Sequence, residues 1–170
     1  MLHFDVHPVT PQRHIIEKAV DILRVDDGIC VYPTDTVYGM GGAVSNPKAI
    51  DRIGRLMQRD KSRSFSFIFD TFSQISTYAR ISNAAFRIMK HYLPGPFTFI
   101  LPATNYVPKK VCPKRRTVGV RMPDSAACLA LVAALGEPLA NTSIRLSGSL
   151  RGDPDSVRPA VLSEVDVMLD

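Results

Sequence analysis

The chain has no tryptophan, only three cysteines, and no apolar run longer than residues 126–135. That run falls well short of the roughly 20 residues that a membrane-spanning helix requires, so no transmembrane segment is expected. The first seven residues carry neither the basic segment nor the apolar segment of a secretory leader, and the cytoplasm is the expected compartment. Cys30, Cys112 and Cys128 are odd in number and irregularly spaced. This argues against a disulfide framework and a Cys-x-x-Cys zinc or redox site, and leaves the thiols as small buried hydrophobes. Neither glycine-rich phosphate cradle, Gly-x-x-x-x-Gly-Lys-Ser/Thr or Gly-x-Gly-x-x-Gly, is present, and there is no Gly-x-Ser-x-Gly nucleophile elbow. His3, His7, His14 and His91 are not at metal-ligand spacing; three lie near an N-terminus expected to fray, so no metal site is expected.

What is present is enough for one domain spanning residues 1–170. The chain has a mass of 18.7 kDa, 45% hydrophobic residues and 22% charged residues, so a core can be buried and disorder is excluded. The net charge of +5 is unevenly distributed: residues 1–50 sum to −2, residues 51–121 to +11 and residues 122–170 to −4. A positive field concentrated on the middle of a small domain attracts phosphate-bearing partners, unless folding disperses it over several solvated faces.

Cap signals and periodicity mark the elements. Thr10-Pro11 opens a helix reaching Arg24, Asn46-Pro47 one through Met57, Asp70 a short one to Tyr78, Ser82 one carrying Ala85, Phe86, Ile88 and Met89, and Ser125 one ending at Gly136. Strands are expected over 29–33, 65–69, 97–101, 117–122, 139–144 and 165–169, with a loop at 145–154 and a helix at 155–162. Helices and strands interleave without a clean βαβ series. The segments at 65–69 and 97–101 are expected to pair antiparallel. The fold class is α/β: a single-domain twisted mixed parallel/antiparallel sheet with flanking helices.

Four segments and one isolated arginine could carry chemistry. Thr34-Asp35-Thr36-Val37-Tyr38-Gly39-Met40-Gly41-Gly42 places hydroxyls, a carboxylate, a phenol and glycines after a strand, where a ligand can approach the backbone closely; the alternative is an ordinary strand-to-helix loop. Arg59, Lys61 and Arg63, with serines between, suit triphosphate or nucleic-acid phosphates. Lys109, Lys110, Lys114, Arg115 and Arg116 lie in a stretch with no acidic residue from Asn105 to Met122, a pattern suited to a polyanion surface. Arg121 sits inside a strand pattern, where burial demands a partner: a ligand carboxylate or an internal acid. Asn141-Thr142-Ser143 followed by Ser147-Gly148 adds a hydroxyl-rich strand end.

Taken together, Tyr32-Pro-Thr-Asp-Thr-Val-Tyr-Gly39, Pro94-Gly-Pro-Phe-Thr-Phe-Ile-Leu101, Val118-Gly-Val-Arg-Met-Pro123 and Asn141-Thr-Ser143 with Ser147-Gly148 resemble the YrdC family. Its characterised members are threonylcarbamoyl-AMP synthases, and this chain looks closest to the YciO branch. The resemblance implies a concave, positively charged α/β fold that binds double-stranded RNA or tRNA. In the synthase branch it also implies reaction of ATP, bicarbonate and L-threonine to the carbamoyl adenylate used in tRNA modification, a nucleotidyltransferase activity. By that pattern Thr34, Thr36, Tyr38 and Arg121 line a threonine pocket, Arg59, Lys61, Arg63 and Ser143 face the nucleotide, and Mg²⁺ bridges its phosphates, with no tightly bound cofactor. Met57 stands where the synthases carry a lysine and Arg145 where they carry an asparagine, although Lys61-Ser62-Arg63 repeats the Lys-x-Arg pattern. Family chains also continue past the last strand with a Ser/Thr-containing segment, and this sequence stops at Asp170. Two readings follow: an adenylate-forming enzyme, or a binding module for duplex RNA or a nucleotide without catalysis.

Overall fold

The computed structural model describes residues 1–25, 27–57, 65–108, 116–146, 149–150 and 164–170. In chain order the elements are β1 (Leu2–Phe4), α1 (Arg13–Arg24), β2 (Cys30–Tyr32), β3 (Gly39–Ala43), α2 (Pro47–Leu56), β4 (Ser66–Ile68), α3 (Phe72–Tyr78), α4 (Asn83–Tyr92) and β5 (Phe99–Pro102). They continue with β6 (Thr117–Arg121), α5 (Ala126–Leu135), β7 (Leu139–Ser143), β8 (Arg145–Leu146), β9 (Ser149–Leu150) and β10 (Val167–Leu169).

Most helix starts follow local chemistry. The side chains of Asn46, Ser82 and Ser125 accept the backbone N–H of Ala49, Ala85 and Cys128, satisfying donors that the first turn leaves without partners. Gly136, at φ 80°, closes α5 in the left-handed conformation glycine adopts without strain. Two starts differ from expectation. α1 begins after Gln12, because the Thr10 hydroxyl and N–H are bonded to His7 Nδ1 at 2.9 and 3.0 Å. α3 is capped by Thr71, not Asp70, with Thr71 accepting the N–H of Gln74.

Eight strands form one sheet in the order β1-β10-β2-β3-β7-β4-β6-β5; β1/β10, β10/β2 and β4/β6 run parallel and the other neighbours antiparallel. The mixed α/β sheet with flanking helices expected from the sequence is the observed architecture. Its details correct four readings. Gly39–Ala43 is not loop but a central strand paired on both sides, so residues 33–38 connect two antiparallel strands and are not a strand-to-helix loop. The N-terminus does not fray, because β1 pairs with β10. β4 and β5 do not pair; β6 lies between them. Part of the expected loop at 145–154 is the β8/β9 hairpin. The expected helix at 155–162 lies outside the described residues.

The pleat divides the core in two. α1 and α5 bury Ile16, Val20, Leu23, Cys128, Leu131 and Val132 against one sheet face, formed by Cys30, Tyr32, Ala43, Ile68, Leu139 and Val167. On the opposite face Val31, Met40, Phe67, Val118, Val120 and Met168 pack with Ile53 of α2, Ile75 of α3 and Met89 of α4. Strand alternation assigns Gly39, Gly41, Ser66, Gly119, Arg121, Asn141 and Ser143 to the α1/α5 face, and none of them belongs to its apolar cluster. That face therefore carries a small, polar area beside its greasy one.

Candidate functional site

Arg121, the last residue of β6, is 7% exposed. A guanidinium this deep must be paired, and the 33–38 connection supplies its partners. Arg121 Nη2 donates to Asp35 Oδ1 at 2.5 Å, Thr36 Oγ1 at 2.8 Å and Thr34 Oγ1 at 3.4 Å. Both members of the Arg121–Asp35 ion pair are about nine-tenths buried. The second oxygen of Asp35 accepts the backbone N–H of Asp124 at 3.1 Å, and Ser125 Oγ donates to the Pro33 carbonyl at 3.0 Å, so the connection is tied to the start of α5 at two residues. Within the loop, Thr34 Oγ1 donates to the Val37 carbonyl at 2.6 Å and accepts the Thr36 N–H at 3.2 Å. The internal acid that the sequence left open as a partner for Arg121 is thus Asp35.

The pairing is one-sided. All three bonds use Nη2, and Arg121 Nε is buried with no hydrogen-bond partner. A buried N–H without an acceptor costs free energy, and a guanidinium that keeps such a donor beside two threonine hydroxyls suits a carboxylate.

A buried polar chain runs across the same face. Tyr32 Oη donates to Asn141 Oδ1 at 2.8 Å, Asn141 Nδ2 donates to Ser66 Oγ at 3.2 Å, and Ser66 Oγ donates to the Asn141 carbonyl at 3.4 Å. Gly39 and Gly41 leave room for it: a Cβ at Gly39 would lie 2.6 Å from Asn141 Oδ1, and one at Gly41 2.6 Å from Tyr32 Oη. Burial pushes the Tyr32 phenol well above its ordinary range, so it remains a proton donor. The sequence motifs contained Tyr32 and Asn141 without revealing their bond, which joins residues 109 positions apart.

The residues expected to form the site divide as follows. Thr34, Thr36 and Arg121 come together. Ser143 ends β7 opposite Gly39, half-buried on the same face. Tyr38 packs on the opposite side, with its hydroxyl on Asp170 Oδ1 at 2.6 Å. Arg116 is exposed. Arg59, Lys61, Arg63, Lys109, Lys110, Lys114 and Arg115 lie outside the described residues.

A mixed sheet with helices on both faces, and a hydroxyl-rich connection folded onto a buried arginine, define a class of mixed α/β domain. Residues 23–170 match the Sua5/YciO/YrdC family, described as "Telomere recombination", and the chain belongs to that family. It is 38% identical over 169 residues to the uncharacterised protein YciO of Escherichia coli (strain K12), covering 98% of this chain and 82% of the relative. The crystal structure of E. coli YciO superposes with a TM-score of 0.93 over 99% of this chain and 84% of that one. A threonylcarbamoyl-AMP synthase of Hydrogenovibrio crunogenus is 33% identical over 135 residues, 77% of this chain and 73% of the synthase. The crystal structure of P. abyssi Sua5 complexed with L-threonine, 26% identical, superposes with a TM-score of 0.92 over all of this chain and 50% of that one.

Proposed function

We propose that the chain binds L-threonine at the Arg121–Thr34–Thr36 cluster and joins its N-carboxylated form to the adenylyl group of ATP, the reaction of a threonylcarbamoyl-AMP synthase. The observation that carries this reading is the buried Arg121, whose Nε has no partner while Nη2 is fixed by the loop. The relatedness to a synthase and the likeness to a Sua5 solved with L-threonine agree with it. The guanidinium holds the amino-acid carboxylate, and the hydroxyls of Thr34 and Thr36 accept from its polar groups. Bicarbonate and the amine condense to a carbamate, the new N–C bond replacing a C–O bond whose oxygen leaves as water; a carbamate oxygen then bonds to the α-phosphorus, and pyrophosphate departs with the electrons of the broken P–O bond. Positioned cations lower that barrier by neutralising phosphate charge, the role given to Arg59, Lys61 and Arg63, with Ser143 as a further donor. The loop's single carboxylate, Asp35, is committed to Arg121 and Asp124, so Mg²⁺ would travel on the phosphate oxygens rather than on this loop. The test is release of pyrophosphate from ATP that depends on both L-threonine and bicarbonate, alongside L-threonine binding by calorimetry. Absence of threonine-dependent release at saturating ATP rejects catalysis, and absence of binding rejects the pocket.

A second reading, binding of double-stranded RNA or tRNA, rests on a different observation. No acidic residue occurs from Thr71 to Pro123, and Arg80, Arg87, Lys90 and Arg116 are exposed within that stretch. Duplex RNA is recognised largely by shape and phosphate contacts, for which such cations suffice. Affinity for a duplex RNA then falls steeply with added salt, and a salt-independent interaction rejects this reading.

A further inference from the structure

Outside the Arg121 cluster, the strand register gathers a second set of polar groups at the far edge of the sheet. β1 and β10 run parallel with His3 opposite Met168 and Phe4 opposite Leu169. Asp170 N–H donates to the Phe4 carbonyl at 2.9 Å and Val6 N–H to the Asp170 carbonyl at 2.6 Å, which seats Asp170 directly beside Asp5. Residues two apart on a strand share a face, and laterally paired residues of parallel strands do too, so His3, Asp5 and Asp170 emerge on one side. His3 Nε2 lies 3.2 Å from Asp170 Oδ2 and 4.0 Å from Asp5 Oδ1, and all three ligand atoms lie within 4.8 Å of one another.

We propose that His3, Asp5 and Asp170 bind a divalent first-row transition ion such as Zn²⁺. Metal–ligand distances of about 2.0–2.2 Å place neighbouring donors roughly 3.0–3.5 Å apart, a spacing the His3–Asp170 pair meets and Asp5, with a side chain 95% exposed, reaches by a small rotation. Tyr38 Oη donates to Asp170 Oδ1 at 2.6 Å while Oδ2 lies beside His3; such outer support orients a ligating carboxylate. Two carboxylates side by side on adjacent strands repel, and a cation between them reverses the sign of that interaction. Imidazole among the donors favours Zn²⁺ or a similar ion over Mg²⁺, and three protein ligands leave positions open for water. The competing explanation is a plain His3–Asp170 surface ion pair with no metal.

The experiment uses the whole chain without a polyhistidine tag. It is titrated with Zn²⁺ and then with Mg²⁺, and followed by calorimetry and by the ring-nitrogen NMR signals of the histidines. The expected result is saturation near one equivalent of Zn²⁺ with the His3 ring signals moving and no comparable response to Mg²⁺. His3→Gln and Asp170→Asn abolish that saturable event, and Tyr38→Phe weakens it about tenfold with stoichiometry unchanged. Asp5→Asn alters a side chain too exposed to unfold the protein, so its weakened binding decides the matter even where another variant misfolds. Unmoved His3 signals at saturating Zn²⁺, or wild-type affinity in Asp5→Asn and His3→Gln, overturn the site in favour of the ion pair.

Discussion

Arg121 and Asp35 each have a structural duty and a place in the proposed pocket, and the two can be separated. Arg121→Ala leaves the nine-tenths-buried Asp35 carboxylate without its charge partner, a loss expected to cost about 3–5 kcal/mol in chemical denaturation. Arg121→Lys keeps the charge but not the fork, so it is expected to fold while weakening L-threonine by about 1.5–3 kcal/mol in calorimetry, roughly tenfold to a hundredfold. Unchanged affinity in that variant would remove Arg121 from the pocket. The Tyr32–Asn141 bond is purely internal: Tyr32→Phe strands Asn141 Oδ1 and should cost about 1–3 kcal/mol of stability without changing the threonine affinity. The arginine stood out in the sequence because a charge inside a strand pattern needs explaining, but its partner did not. Asp35 lies 86 positions away, and nothing local in either segment points to the other.

Among elements, those defined by bonds between near neighbours were legible and those defined by distant pairing were not. α2, α4 and α5 start where Asn46, Ser82 and Ser125 were expected to cap them, because the cap bond spans three residues. Ser125→Ala removes both the cap on Cys128 N–H and the bond to the Pro33 carbonyl, and should cost at least about 1 kcal/mol in a thermal melt. Gly136→Ala forces a side chain into φ 80° and should destabilise by about 1 kcal/mol. α1 and α3 show how a local signal loses: the Thr10 hydroxyl finds His7, and Thr71 takes the position expected for Asp70. β3 had no strand signal, since Gly-Met-Gly-Gly-Ala carries three glycines that a strand ordinarily disfavours. It is a strand because β2 and β7 flank it, and its glycines are tolerated because Tyr32 and Asn141 occupy the space that side chains at Gly39 and Gly41 would fill, and Ala49 of α2 the space at Gly42.

For the whole molecule, the buried thiols set a pH limit. Burial raises the pKa of Cys30 and of Cys128, so the folded protein keeps protons that the unfolded chain releases. Below about pH 8.5 both states hold them and stability does not respond; above it stability falls, by up to about 1.4 kcal/mol per pH unit for each thiol. The melting temperature should drop between pH 8.5 and 10 and drop less in a Cys30→Ala, Cys128→Ala chain; equal slopes would place the cause elsewhere. Composition, cap residues and apolar spacing determined by themselves that this chain is one α/β domain of mixed strands with a basic middle, because these depend on neighbours along the chain. Only the tertiary structure decided that residues 33–38 fold back onto Arg121, that Gly39–Ala43 is a central strand, and that His3, Asp5 and Asp170 meet across β1 and β10. Each of those depends on which strands lie side by side, a choice made by burying two apolar faces at once and carried by no short stretch of sequence.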